Sequence, residues 1–292
     1  MIRNLNAGYE NMFVHLKQDL PAPCFLVEEC ESTFALAWEL LGDGFFPDWA
    51  SVTALCQSAG YGQLRRHWHS PRGNLHVTFR LPPNPLFAGN AAAPVLGLVV
   101  CKVLREFGFP ILLKWPNDLL LGEEGKAGGI LLEERDGVLL AGLGLNLLAA
   151  PDSGLLREEA ALPAAALFAM QQIKRADKYE GAYLRQDLPR TPFPLWHLLL
   201  KAIISEYAGS MKGASLPVFI AGRAGLAAWV GRMARIDDDG LPENYGRIVG
   251  FGPAGGLVMD MNKGGRREIF NGSISLLPGS KMEKGSDGHQ DF

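Results

Sequence analysis

Four short apolar runs, separated by turns that contain glycine and proline, constrain the fold of this chain more than any other feature. They predict four strands, at Ile111–Trp115, Leu119–Leu121, Gly129–Leu132 and Val138–Leu145. The second and third runs flank a glycine-bearing loop that contains Lys126, so they indicate a hairpin. Because a hairpin joins antiparallel neighbours, we expect a central sheet that is at least partly antiparallel.

The residues before these runs predict further strands alternating with helices. The strands are expected at Pro23–Glu29, Val52–Leu55 and Leu75–Leu81, the last half-buried because apolar and polar residues alternate along it. One helix is predicted to begin at Ser32 or Thr33 and to run through Leu41. A second is predicted to be capped by Asn90 and to end at Gly108. Helices packed on a mixed sheet make an α+β fold.

The character of the chain changes after residue 149. Residues 149–213 are rich in alanine, and helices are predicted at Leu155–Gln172 and Leu195–Tyr207. Residues 217–278 contain short strands, predicted at 247–251, 256–259, 267–270 and 273–277, that alternate with glycine turns, which is typical of a small β-barrel. We therefore expect an N-terminal extension (1–22), a large domain (23–214), a small barrel domain (215–278) and a disordered tail (279–292).

Composition excludes several classes of protein. A net charge of −3 argues against a general nucleic-acid binder. The sequence lacks an apolar run long enough to cross a bilayer, and its first residues lack the layout of a signal peptide. The four cysteines have no metal-ligand spacing, so we expect reduced thiols in a cytoplasmic protein.

Three motifs beside the apolar runs carry the chemistry: Lys114–Asp118, Gly125–Leu131 and Gly142–Asn146. Together they supply an aromatic ring, two lysines, a carboxylate and several glycines, which suit a site for a small carboxylic acid and a nucleotide phosphate. Joining these two groups gathers negative charge, and a fixed ammonium group stabilises that transition state. Lys126 is predicted to supply it, although a solvated loop lysine is the plainer alternative.

In order and spacing, these motifs resemble those of the biotin protein ligase family, which are Lys-Trp-Pro-Asn-Asp, Lys-x-x-Gly-Ile-Leu and Gly-x-Gly-x-Asn. Glu31–Thr33, Gln57–Gly60 and Trp68–Pro71 are similar to further motifs of that family, and Gly246–Leu276 resembles its C-terminal barrel. The resemblance implies a mixed, partly antiparallel sheet with packed helices, as in biotin/lipoate ligases, and a small SH3-like barrel. Residues 1–21 are too few for a helix-turn-helix domain, so we expect no DNA binding.

The resemblance also implies an ATP-dependent reaction in two steps. The carboxylate of biotin attacks the α-phosphate of ATP, which gives biotinyl-adenylate and pyrophosphate. A lysine of a biotin carboxyl carrier domain then attacks the adenylate. The family also implies Mg²⁺, which shields the phosphate charge. A homodimer is possible in this family and stays an open expectation. No membrane partner is expected.

Site residues follow from the resemblance position by position. Catalytic roles fall on Lys126 and Arg66. Biotin is expected to contact Ser32, Thr33, Gln57, Gly60, Trp115, Gly129, Leu131 and Gly142. The nucleotide is expected to contact Gly62, Gln63, Arg65, Trp68, Asn117, Asp118 and Asn146, with Asp118 also a predicted Mg²⁺ ligand. Taken alone, Ser32 and Thr33 also suit a helix cap, and Trp115 also suits a core position.

The loop at residues 60–66 departs from the family pattern Gly-Arg-Gly-Arg-x-Gly. Tyr61 and Gln63 stand where arginines are expected, and Arg65 stands where a glycine is expected. In the family this loop closes over the adenylate and excludes water. Losing one charged hydrogen bond costs about 1.5–3 kcal/mol, which is on the order of tenfold to a hundredfold in retention. We therefore expect a working site that leaks its intermediate, with Arg65 and Arg66 compensating in part.

Two alternatives stay open at this point. One is attachment of lipoate or octanoate by a related fold, against which the Lys-Trp-Pro-Asn-Asp motif speaks. The other is a non-catalytic binder of biotin or adenylate, against which the presence of Lys126 speaks. In addition, Leu277 stands where the family often has an arginine, which argues against a contact from the small domain to ATP.

Overall fold

A computed structural model describes residues 2–4, 12–15, 20, 22–123, 125–151, 162–169, 185, 187–237 and 244–280. Nine strands form one sheet in the order β1-β2-β3-β4-β5-β9-β8-β7-β6. They are β1 Ile2–Asn4, β2 Met12–His15, β3 Cys24–Cys30, β4 Ser51–Gln57, β5 Leu75–Leu81, β6 Ile111–Lys114, β7 Asp118–Leu121, β8 Gly125–Arg135 and β9 Val138–Leu145. Within this described sheet β3 and β4 pair in parallel and all other neighbours pair antiparallel, which confirms the predicted mixed sheet.

The helices among the described residues are α1 Thr33–Gly42, α2 Ala92–Glu106, α3 Pro192–Glu206 and α4 Leu216–Ala221. Ser32 caps α1 as predicted, because its Oγ accepts a hydrogen bond from the backbone N–H of Phe34 at 3.2 Å. Asn90 does not cap α2, so that prediction is wrong. The turn Gly89–Ala91 leads directly into the helix, whose N-cap residue is Ala91, and the Asn90 side chain stays exposed.

The central strand β5 is more buried than its alternating sequence predicts. It lies at the centre of the sheet between β4 and β9, and side chains on both of its faces are buried: the polar residues His76 and Thr78 are 1% and 0% exposed, and Val77 on the other face is 1% exposed. A strand at the centre of a sheet can carry polar side chains only where they find partners or line a cavity. The alternation therefore marks a polar wall inside the molecule rather than a solvent face.

The helix predicted at Leu155–Gln172 is wrong for residues 162–169, and the rest of that prediction falls outside the described residues. Residues 163–165 pair with β8, where the N–H of Lys126 donates to the carbonyl of Pro163 and the N–H of Ala165 donates to the carbonyl of Lys126, and a turn follows at residues 167–168. The helix predicted at Leu195–Tyr207 is confirmed by α3. Backbone pairing with β8, a contact over long sequence distance, overrides the helical preference of the alanines.

The small sheet contains β10 Met233–Asp237, β11 Tyr245–Phe251, β12 Leu257–Met261, β13 Gly265–Ile269 and β14 Ser273–Leu276, in the order β13-β12-β11-β10-β14. All its neighbours are antiparallel, and β10 was absent from the sequence prediction. Its apolar core continues into the β6–β7 hairpin, because Trp115 and Leu120 pack in the same cluster as Trp229 and Ile236. Residues 281–292 of the predicted tail lie outside the described residues, and the domain boundaries stay predictions.

In the described part of the chain, the helices are too short or too polar to span a membrane.

Candidate active site

A cleft of about 560 Å³ opens between the central strands, the loop at residues 60–69 and the small domain. This is the usual size of a site for a small-molecule ligand. The structure brings most of the predicted site residues to its walls, namely Ser32, Thr33, Gln57, Gly62, Gln63, Arg66, Trp68, Asn117, Asp118, Lys126, Gly129, Leu131, Gly142 and Asn146. Ser273 of the small domain also lines the cleft, so the small domain reaches this site despite the leucine at position 277.

Three predicted residues lie outside the cleft lining. Trp115 is 2% exposed and packs in the core shared with the small domain, so its expected place on the cleft wall is corrected. Arg65 is exposed and lies over the ring of Tyr61 at 4.3 Å. Gly60 is buried behind the cleft, and a Cβ there would meet the Oγ of Ser70 at 2.7 Å, so the glycine serves close packing of the loop.

One end of the cleft is charged and centres on Asp118. Its Oδ1 lies 2.5 Å from the Nζ of Lys126, and its Oδ2 lies 2.9 Å from the Nζ of Lys114. The three side chains are largely enclosed, with 34% of Lys126, 12% of Lys114 and 15% of Asp118 exposed. Two ammonium groups and one carboxylate leave one net positive charge, which suits a ligand that carries phosphate.

Opposing effects act on the pKa of the Asp118 carboxyl group. Burial raises it, but the ammonium groups of Lys126 and Lys114 lower it more, so that the net pKa lies below its ordinary value. The carboxylate is therefore ionised throughout the physiological range. It holds the ammonium group of Lys126 at a fixed place on the cleft wall.

The predicted role of Asp118 as a Mg²⁺ ligand does not fit these contacts. Both of its oxygens already face ammonium groups, and a dication placed there would be repelled by them. Among the described residues, no three His, Cys, Asp or Glu side chains come together as a metal site.

Lys126 lies in a strand rather than in the predicted loop. It is the second residue of β8, and an irregularity in the β7–β8 pairing falls beside it, between Leu119 and Leu120. Its ammonium group lies 5.6 Å from the centre of the Trp68 ring. A lysine anchored on a sheet is held more firmly than one on a free loop, which favours a fixed charge.

The glycines of the second and third motifs have different functions. A Cβ at Gly128 would meet the carbonyl oxygen of Gly144 at 2.4 Å, and a Cβ at Gly142 would meet the Phe34 ring at 2.4 Å. A Cβ at Gly144 would meet the Trp68 indole at 2.7 Å. These three glycines therefore allow neighbouring parts of the protein to pack closely, and a side chain there would clash with them. At Gly129 the nearest atom would be 3.7 Å away, which leaves this position open to a ligand.

The other end of the cleft is neutral and holds a hydrogen-bond chain. The hydroxyl of Thr78 donates to that of Thr33 at 2.8 Å. The backbone N–H and the hydroxyl of Thr33 both donate to Oε1 of Gln57, at 2.8 and 3.1 Å. Nε2 of Gln57 donates to the hydroxyl of Ser70 at 2.9 Å. Thr33 and Gln57 are therefore locked into one orientation before any ligand binds.

Tyr61 attaches the loop at residues 60–69 to the sheet. Its ring stacks on Phe34 at 6.0 Å, and its hydroxyl donates to Glu133 of β8 at 2.8 Å. Arg65 has a left-handed backbone with a φ of 55°, which explains why the family pattern has a glycine there. The altered loop is thus a short hairpin that is attached to the rest of the protein through the ring and the hydroxyl of Tyr61.

Three buried polar atoms around the cleft have no hydrogen-bond partner among the described residues. They are Nε1 of Trp68, Oδ1 of Asn146 and Nδ1 of His76. His76 was not among the predicted site residues, because a polar residue in an alternating strand usually faces solvent. Asn117, in contrast, donates through Nδ2 to the carbonyl of Ile130 at 2.7 Å and braces the turn before β7.

Comparisons with known proteins agree with this geometry. The model of the biotin/lipoate A/B protein ligase family matches residues 30–147. A biotin–[acetyl-CoA-carboxylase] ligase of Paracoccus denitrificans is 30% identical over 227 residues, which cover 72% of this chain and 83% of that protein. The bifunctional ligase/repressor BirA of Escherichia coli is 42% identical over 81 residues, or 25% of its own length.

The fold is also similar to that of solved biotin protein ligase structures. The biotin protein ligase of Aquifex aeolicus in complex with biotin and ATP has a TM-score of 0.66 and 25% identity, and the match covers 88% of this chain and 99% of that one. Both domains of the fold are therefore represented in the match.

Proposed function

Because this chain belongs to the biotin protein ligase family, we propose that it joins biotin to ATP and passes the biotinyl group to a protein lysine. In the first step a carboxylate oxygen of biotin attacks the α-phosphorus, and pyrophosphate leaves. In the second step the amine of the acceptor lysine attacks the carbonyl carbon of the adenylate. A C–N bond forms, AMP leaves with the electrons of the C–O bond, and the amine gives up a proton.

The observation that carries this proposal is the position of Lys126. Its ammonium group is held by Asp118 on the wall of an enclosed cleft. As the carboxylate approaches phosphorus, negative charge grows on the phosphate oxygens, and a preorganised cation stabilises that charge without further rearrangement. The same charge stabilises AMP as it leaves in the second step.

The two ends of the cleft have different functions in this proposal. The neutral end, with Thr33 and Gln57, suits the ring of biotin, and the charged end suits the phosphate. Gly129 lies beside Lys126 and Asp118, and its bare backbone allows the reacting groups to approach β8 closely there. The loop at residues 60–69 lines the same cleft and limits the access of water to the mixed anhydride, and the expected leak of the adenylate stays a prediction.

The test is pyrophosphate release from ATP, measured with biotin, lipoate and octanoate in turn, followed by transfer to a purified biotin carboxyl carrier domain. We expect release with biotin and labelling of the carrier. The control is the same carrier with its acceptor lysine replaced by arginine, which should remain unlabelled. Release with lipoate but not with biotin, or tight biotin binding without any release, would contradict the proposal.

We also propose the partner and the compartment. The acceptor is a carrier domain of a biotin-dependent carboxylase, and the compartment is the cytoplasm, which fits the four free cysteines. Absence of DNA binding and formation of a homodimer stay predictions that footprinting and light scattering would check.

A further inference from the structure

His76 is a buried histidine on the cleft wall that no family motif marks. It lies in β5 two residues before Thr78, so the two side chains share one face of the strand. Only 1% of its surface is exposed. Its neighbour across the β5–β9 pairing is Gly144, whose missing side chain makes room for Trp68.

The hydrogen bonds of the ring fix which nitrogen carries the proton. Nε2 lies 3.2 Å from the carbonyl oxygen of Pro71, and a carbonyl can only accept, so Nε2 is the donor. Burial lowers the pKa of His76 to about 4, and the ring is neutral at neutral pH. Nδ1 therefore presents a lone pair, and no described residue donates to it.

The neighbouring polar groups do not supply a donor for that lone pair: the indole N–H of Trp68, itself without a partner among the described residues, makes no hydrogen bond to Nδ1. The hydroxyl proton of Thr78 goes to Thr33, and that of Thr33 goes to Gln57. A buried acceptor without a partner costs free energy, so such atoms need an explanation. His76 lines the ligand cleft, so a donor on a bound ligand is the remaining candidate partner for this acceptor.

We infer that Nδ1 of His76 accepts a hydrogen bond from a ureido N–H of biotin and selects biotin against lipoyl and octanoyl groups. This inference rests on the proposed function. The biotin ring carries two N–H donors, whereas a dithiolane ring or an alkyl chain carries none. A site built to pair an N–H rejects a ligand that lacks it, because the acceptor is then buried without a partner.

The first test compares three proteins: the natural chain, His76→Asn and His76→Phe. Asparagine places an oxygen acceptor close to the position of Nδ1, whereas phenylalanine keeps a ring but removes the acceptor. Their ligands are biotin and the two biotin derivatives methylated on one ureido nitrogen, and the readout is biotin-dependent exchange of pyrophosphate into ATP. Melting temperatures of all three proteins serve as the folding control.

With the natural chain, we expect kcat/KM to be about tenfold to a hundredfold higher for biotin than for one of the methylated derivatives. His76→Phe should lower kcat/KM for biotin by a similar factor, mainly through KM, and should lose the preference. His76→Asn should keep most of the kcat/KM for biotin and most of the preference for biotin over the methylated derivative. An unchanged preference in a folded His76→Phe protein would overturn the inference while leaving the ligase activity in place.

A second measurement needs no folded variant. Histidine labelled with ¹⁵N in the natural chain reports the state of each ring nitrogen, and Nδ1 of a neutral ring moves upfield when it accepts a hydrogen bond. We expect this movement for His76 on saturation with biotin but not with octanoate. An Nδ1 signal that stays in place with biotin bound would overturn the inference, whereas a chain that fails to bind biotin would overturn the proposed function itself.

Discussion

The two ends of the cleft use polar groups in opposite ways. At the neutral end, Thr33, Gln57 and Thr78 satisfy one another before a ligand arrives. At the charged end, Asp118 faces two lysines and leaves an excess positive charge. The first arrangement fixes geometry and suits recognition. The second arrangement places an excess positive charge on the cleft wall, which suits a reaction in which negative charge accumulates.

Because of this difference, the affinity for biotin and the rate of adenylate formation should depend on different ends of the cleft. A change at the neutral end should act on the binding of biotin and leave the chemical step intact. A change at the charged end should slow adenylate formation and leave the ring of biotin bound. Variants that fail to follow this division would show that the two ends do not act independently.

The largest effect on stability is expected from Asp118→Asn. It removes a negative charge that lies between two poorly exposed ammonium groups, and breaking such a pair costs about 3 kcal/mol in the free energy of unfolding. Urea denaturation at pH 7 measures this loss. Because the pKa of Asp118 is lowered on folding, its contribution is complete above the unfolded pKa and is lost only as pH falls through the lower folded value. A loss that varied between pH 6 and pH 8 would contradict this assignment.

The neutral end should respond to pH in a different window. The pKa of His76 falls from 6.5 to about 4 on folding, so the unfolded chain binds more protons between these values and stability rises with pH across them. Between pH 7.5 and pH 4.5 the free energy of unfolding of the natural chain should fall by about 2–3 kcal/mol through His76 alone, and His76→Asn should not show this loss. Parallel denaturation curves of the two proteins from pH 7.5 to pH 4.5 give the comparison. Curves that fall together would show that His76 titrates normally.

A pair of glycine substitutions should separate packing from binding. Gly142→Ala places a methyl group 2.4 Å from the Phe34 ring and should cost about 1–3 kcal/mol in stability. Gly129→Ala has its nearest contact at 3.7 Å, so it should leave the melting temperature unchanged but should weaken ligand binding at the cleft wall. Calorimetric titration with biotin and ATP together with thermal denaturation gives both readouts. Equal losses of stability would contradict the distinction.

The smallest effect is expected from Tyr61→Phe. Loss of the hydrogen bond to Glu133 costs about 1 kcal/mol and loosens the loop that covers the cleft. The adenylate should therefore escape a few-fold faster, measured as biotinyl-adenylate found free in solution. Tyr245→Phe in β11 of the small domain is the matched variant, because it also removes a tyrosine hydroxyl that takes part in a hydrogen bond, here with Asn262, and it should leave adenylate release unchanged.

Local patterns in the sequence predicted much of the fold. The apolar runs at residues 111–145 became β6–β9, and Ser32 caps α1, because strand alternation and helix capping depend on neighbouring residues. The path of residues 162–169 was missed, since it depends on pairing with Lys126 across a long stretch of chain. Strand β10 was missed for a similar reason: it is recognised by its partners β11 and β14 rather than by a strong pattern of its own.

The candidate site was predictable where a motif places a side chain directly on a strand end. Asp118 and Lys126 meet because adjacent strands of one hairpin carry them. Trp115 was misplaced, since alternation along the chain turns it toward the small domain, whose position the sequence does not reveal. His76 was missed because burial of β5 depends on both neighbouring strands and on the loop above it.

The most direct test of the central claim is the rate of a single turnover of adenylate formation in Lys126→Ala. The protein is held in excess over labelled ATP with saturating biotin, and Lys212→Ala, which removes an exposed lysine far along the sequence, is the control. The account predicts a rate about a hundredfold to a thousandfold lower in Lys126→Ala, with the dissociation constant for biotin changed little. Adenylate formation at the rate of the control would contradict it.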